Sequence, residues 1–220
     1  ATPSIPVVFE TGADPVRAGL VASLNRPGAN VTGVSSLNAA VVPKRLEVLH
    51  SVVPTAKTVA LLINPDNPAN AGPTSRDAIA AAERLGLRLV VFRATREEAF
   101  ASAFEAMADA QIDMLVIANE TLFNRPAVMA GLAQKHRLPT AHQSPEFTRA
   151  GGLMSYGGDV SESHRLAGVY VGRVLKGDKP AALPVQQVTK ITFTINQRAA
   201  KALSLTVPLH LLGAAEEVIE

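Results

Sequence analysis

VTGVSSLNAAVVPKRLEVLHSVVPTAKTVALLINPDN, residues Val31 to Asn67, alternates strand, helix and strand within one short stretch. Val31 to Ser35 predicts a short strand. About Ala39 to Val53 predicts a helix, because Leu46, Leu49 and Val53 recur at helical spacing. Val59 to Ile63 is apolar throughout, as a strand covered on both faces requires. It runs straight into Asn-Pro-Asp-Asn, and ligands of open parallel sheets sit beyond the carboxyl ends of such strands.

The same alternation extends in both directions. Upstream, Ile5 to Phe9 predicts a strand, and Asp14-Pro15 predicts the cap and first position of a helix through Leu24 that stops at Arg26-Pro27-Gly28. Downstream, a helix over about Ser75 to Leu85 is stopped by Gly86, and Leu87 to Phe92 is the next strand. Thr95-Arg-Glu-Glu98 matches a capping box ahead of a helix that buries Phe100, Phe104 and Met107. A strand at Met114 to Ala118, a helix from Asn124-Pro126 and a short strand at Thr140 to His142 follow. The fold class predicted is α/β, with βαβ units in parallel sheets. Gly151 to Gly158 encloses a strand between glycine pairs and reads as a hinge. A helix over Ser161 to Lys176 comes next, with Leu166, Val169, Tyr170 and Leu175 as its apolar face. Ile191, Phe193 and Ile195 alternate with threonines, which predicts a strand with one wet face at a sheet edge. A helix capped by Asn196 and a last short helix after Pro208 end the chain.

With 220 residues, 47% apolar and 18% charged, the chain suffices for one large α/β domain or two small lobes. A net charge of +2 without a basic tract, and no Trp to stack on bases, argue against nucleic acid as a partner. The absence of Cys excludes disulfides, thiol catalysis and Cys-ligated zinc. No apolar run reaches membrane-spanning length, and the first ten residues lack the pattern of a signal peptide.

Catalytic motifs fit poorly. Ser155 follows an apolar strand as in a nucleophile elbow, but Leu153 stands where the elbow needs Gly. Gly28 to Gly33 carries the two glycines of a phosphate loop, yet Val34-Ser35 replaces the Lys-Ser/Thr pair. No GxGxxG follows a strand, so no dinucleotide cofactor is expected. The five histidines never occur at i, i+4 spacing, so neither is a metal. Polar residues just past apolar strands remain, and in a parallel sheet they converge on one edge. Ser35, Asn64, Asn67, Asn119, Glu120, Gln143 and Tyr156 are the candidate ligand-binding residues. Each could equally cap the next helix. Glu120 reads as a carboxylate in need of a ligand ammonium, and Tyr156 as a ring to stack on the ligand or fill the core.

Further stretches carry a resemblance: Asp14-Pro15-Val16 with Gly19-Leu20-Val21, Lys44-Arg45-Leu46-Glu47-Val48-Leu49, Gly151-Gly152-Leu-Met-Ser-Tyr-Gly157, Leu175-Lys-Gly177 with Leu183-Pro184-Val185, and Glu217-Val-Ile-Glu220. Together with Arg26 to Gly33 and Ile195 to Leu203, the chain resembles the ABC-transporter substrate-binding protein family of the tryptophan/tyrosine-binding type. The resemblance implies a type I periplasmic-binding-protein fold, with two Rossmann-like lobes and ligand in the cleft between them. It also implies periplasmic location after export, delivery to a membrane permease of an ABC importer, and no catalysis. Residues 1–37 and 156–183 then belong to a first lobe that is N-terminally incomplete, and 38–155 and 184–220 to the second. The partial lobe predicts a homodimer or strand exchange. An amino acid or a small aromatic carboxylate is the expected ligand. Two other readings stay open on the residues alone: a ligand-sensing domain of a signalling or transcriptional regulator, and an α/β enzyme.

Overall fold

The computed structural model describes residues 4–220, so that of the predicted first lobe only residues 1–3 lie outside the described residues. The chain divides into two compact units, Ala1–Ala40 with Gly158–Ile191 and Val41–Gly157 with Thr192–Glu220.

The first unit holds a sheet of three strands in the order β1 (Val7–Thr11), β2 (Val31–Ser35) and β8 (Gln186–Gln187). Both pairings are parallel, with Phe9 opposite Gly33 and Val34 opposite Gln186. One helix packs on this sheet, α6 (Val160–Leu175), with Asp159 capping it through the Glu162 N–H at 3.1 Å. Residues 184–191, expected with the second lobe, belong to this unit, because β8 completes its sheet beside β2 and Val185 N–H donates to Leu24 O.

In the second unit, seven strands take the order β10 (Glu217–Ile219), β9 (Ile191–Asn196), β7 (Met154–Gly158), β6 (Thr140–His142), β5 (Met114–Ile117), β3 (Thr58–Ile63) and β4 (Arg88–Arg93). The five that carry the fold are β3, β4, β5, β6 and β7, all paired in parallel. The apolar strands are buried on both faces for a simple reason. Leu61 and Ile63 of β3 and Val116 of β5 pack with Leu46 and Leu49 of α1 (Val42–Val52), whereas Leu62, Leu115 and Ile117 face Phe104 and Met107 of α3 (Ala99–Asp109) and Met129 of α4 (Pro126–Lys135). Helix α2 (Pro68–Arg84) joins the first layer through Ala71, Ala78 and Ala82. It begins seven residues before the predicted start, since Pro68 sits at its first position and the helix passes through Pro73. Five residues, α5 (Pro145–Arg149), lead to β7, and Gly152 between them lets Phe147 lie against the backbone, since a Cβ there would stand 2.1 Å from the ring.

Three predicted features differ. Asp14 caps a turn, its Oδ1 accepting from Val16 and Arg17 N–H at 2.9 and 3.1 Å, but no helix follows, because Gly19 takes φ +70° and turns the chain away. Thr95 caps nothing: α3 starts at Ala99, and Glu97 is drawn instead to Arg125 at 3.0 Å. The strand over Ile191 to Asn196, β9, is not an edge. It is covered by β10 (Glu217–Ile219), with Val218 opposite Ile195, after the short helices α7 (Gln197–Ala202) and α8 (Leu209–Ala214). Asn196 N–H meets Leu153 O while Thr192 Oγ1 meets Gly157 O, so β9 runs antiparallel to β7.

Candidate functional site

In the second unit β4 follows β3 on one side and β5 on the other, so the winding reverses between β3 and β5. A reversal of this kind opens a crevice at the carboxyl ends of the two strands. Asn64 and Asn67 follow β3, and Asn119 and Glu120 follow β5, which places all four at the crevice. Farther along the sheet, Gln143 directly follows β6 and Tyr156 lies within β7. Ser35 ends β2 in the sheet of the other unit, where its Oγ donates to Ala13 O at 3.2 Å and accepts from Leu37 N–H at 3.4 Å.

Glu120 is 7% exposed, and its carboxylate already has donors. Asn67 Nδ2 reaches both carboxylate oxygens at 3.1 and 3.2 Å, and Asn70 Nδ2 donates to Oε1 at 2.7 Å. Asn70 Nδ2 also meets Asn119 O, and Thr74 Oγ1 donates to Asn70 Oδ1 at 3.2 Å. Burial raises the Glu120 pKa above the usual carboxylate value, and the two asparagines offset part of that rise. The carboxylate expected to await an ammonium is therefore a tie between the first turn of α2 and the end of β5. Asn67 and Asn70 meet it together because positions three apart share a helix face, a spacing legible in the sequence although Asn70 was not singled out. Asn64 serves its own turn, its Oδ1 accepting from Asp66 N–H at 3.1 Å.

Behind the edge lies Arg45, fully buried on α1, where Nε donates to Tyr156 O at 2.7 Å and Nη1 to Ile117 O at 3.1 Å. It thereby links the ends of β7 and β5 across β6. Burial pushes its guanidinium down to about 9, still charged at neutral pH. His142, at the end of β6, is fully buried against the Phe147 ring, with centroids 5.3 Å apart. Burial and the Arg45 charge push it down to about 3, so it is neutral, and its Nδ1 accepts from Ser144 N–H at 3.1 Å. Ser155, paired with His142 across the two strands, is fully buried within β7, so a substrate cannot reach its hydroxyl. The side chain of Gln143 is half-buried, with Oε1 enclosed and unpaired. Tyr156 is also half-buried, and its ring packs on Phe193 at 6.0 Å. Among the described residues no group of three or more His, Asp or Glu is placed to hold a metal ion, and no helix is long and apolar enough to cross a membrane.

The family model for ABC transporter substrate-binding proteins matches residues 1–219. The chain belongs to that family. Among solved structures, this family member is similar to a conserved domain protein of Vibrio cholerae, at 30% identity with a TM-score of 0.89, covering 99% of this chain and 73% of that one. It is equally similar to an ABC domain in complex with L-Trp from Streptococcus pneumonia, at 28% identity and a TM-score of 0.90, covering 100% of this chain and 73% of that one. A tyrosine-binding protein of Clostridioides difficile is 25% identical over 206 residues, or 93% of this chain. The chain spans 59% of the length of that curated relative. The fold is that of type I periplasmic-binding proteins, α/β with largely parallel sheets.

Proposed function

We propose that this substrate-binding protein is the extracytoplasmic, periplasmic solute-binding component of an ABC importer, taking an amino acid or small aromatic carboxylate and passing it to a membrane permease. The observation that carries this reading is the polar edge at the carboxyl ends of β3, β5, β6 and β7, in a chain matched to the family over almost its whole length. Asn119, Gln143 and Tyr156 are its ligand-contacting groups, offering amide donors and acceptors and one ring. Asn64 supplies a polar loop beside them, whereas Ser35, buried with its hydroxyl bonded to Ala13 O and Leu37 N–H within the first unit, is not assigned to this edge. Glu120 and Asn67 hold the edge in shape instead of meeting the ligand directly. The L-Trp and tyrosine of the two relatives support an aromatic amino acid within this class. The reading involves no chemical step, no cofactor and no nucleic acid.

The test is calorimetric titration of the purified chain with L-tryptophan, L-tyrosine, branched-chain amino acids and aromatic acids. One-to-one binding of at least one of them is expected, weakened about tenfold or more by Tyr156→Ala, as loss of a stacked ring implies. A folded chain that binds none of the panel would overturn the proposal.

A further inference from the structure

At the other end of the second unit's strands lies a groove of about 530 Å³. Leu138 and Leu153, which lie in its wall, precede β6 and β7, so this is the amino-terminal edge of the parallel strands. Ile219 of the reversed β10 lines it too. The groove is therefore separate from the polar edge described above. Its volume falls within the range of small-molecule clefts, about 300–1,000 Å³.

The chemistry of the walls is one-sided. Leu138, Leu153 and Ile219 give an apolar floor, whereas Arg137, Arg149 and Arg198 are exposed at the rim and no acidic residue lines the groove. Arg149 is matched by Glu217, with Nη2 and Oε2 2.6 Å apart. Arg137 is held by Ala202 O at 2.9 Å, a contact that fixes its side chain without neutralising it. Arg198 stands in the first turn of α7. Among the described residues neither Arg137 nor Arg198 takes part in an ion pair. A compact anion would leave the half-buried Leu203 and Ile219 of the lining wet, and a cation would meet uncompensated arginines.

We propose that this groove is a second ligand site, which takes a small amphipathic carboxylate, with the chain or ring of the acid on the leucine floor and its carboxylate on Arg137 and Arg198. Arginine suits that role because its planar fork matches a carboxylate.

The experiment is a titration of the ¹⁵N-labelled chain with sodium decanoate, followed by amide shifts and by calorimetry, with decan-1-ol, decyltrimethylammonium and inorganic phosphate as comparison probes. The expected result is saturable one-to-one binding of decanoate that moves the amides of Gly151, Gly152 and Ala199, with each comparison probe at least about tenfold weaker. Arg198→Glu should weaken decanoate about tenfold or more, the loss expected for a charge-assisted hydrogen bond. An acid is favourable in the first turn of a helix, so this variant should fold, and an otherwise unchanged amide spectrum will check it. No binding of decanoate, shifts confined to other surfaces, equal binding of decan-1-ol, or an unchanged affinity in Arg198→Glu would each overturn the proposal.

Discussion

Burying a carboxylate is costly unless donors meet it, and at Glu120 the asparagines of α2 do so. Replacing Glu120 with Ala removes the acceptor and leaves two amide groups without it. Stability of the ligand-free chain in urea should therefore fall by about 1–3 kcal/mol, whereas a purely ligand-binding carboxylate would leave it unchanged. His142 gives a pH dependence whose sign is fixed. Its pKa is about 3 in the folded chain against 6.5 for a free imidazole, so below 6.5 the unfolded chain binds a proton that the folded one refuses. This contribution to stability is present above pH 6.5 and is lost as the pH falls toward about 3. His142→Asn, which keeps a polar side chain near the Ser144 N–H, should flatten that loss in urea denaturation at pH 7 and pH 4.5. An equal decline in both proteins would assign the acid sensitivity to other groups. Glu120 was legible as a special position because it directly follows an apolar strand, but its partner Asn70 lies fifty residues away in sequence and only folding sets them together.

At the level of elements, local propensity succeeded where one packing solution was available. The strands β3 and β5 are apolar at every position but Thr58, and a strand buried on both faces accepts no other pattern. Helix starts were less secure, because a capping side chain competes with other partners. Thr95 has the spacing of a cap, yet α3 opens at Ala99, three residues later than that box predicts, and Glu98 at its start makes no side-chain cap bond. Thr95→Ala should therefore change the thermal unfolding midpoint by an amount equivalent to less than about 0.5 kcal/mol, where loss of a working N-cap costs about 1 kcal/mol. That β9 is not an edge strand has a related reason. Alternation of Thr with Ile and Phe describes a wet face only if nothing covers it, and here Thr194 is 2% exposed.

On the scale of the whole molecule, the first unit carries apolar surface that its own sheet does not use. Val169, Val171 and Leu175 of α6 are 48%, 43% and 82% exposed, so of the apolar face predicted for this helix only Tyr170 is buried. Exposed apolar groups at this density drive association. Sedimentation velocity should show mass rising with concentration, and Val169→Glu with Val171→Glu should return the chain to a monomer. A single-chain mass at all concentrations would remove the dimer expectation. The sequence by itself determined the α/β class, the order of the strands along the chain and the polar residues that follow them, because burial and helical or strand period are written locally in the spacing of apolar groups. Only the tertiary structure decided that β3 and β5 flank the reversal, that β9 runs against β7, that residues 184–191 join the first unit, and that Glu120 is tied to Asn67 and Asn70. Those outcomes depend on which distant segments meet, and that choice is made by the packing of the whole chain, which no local pattern records.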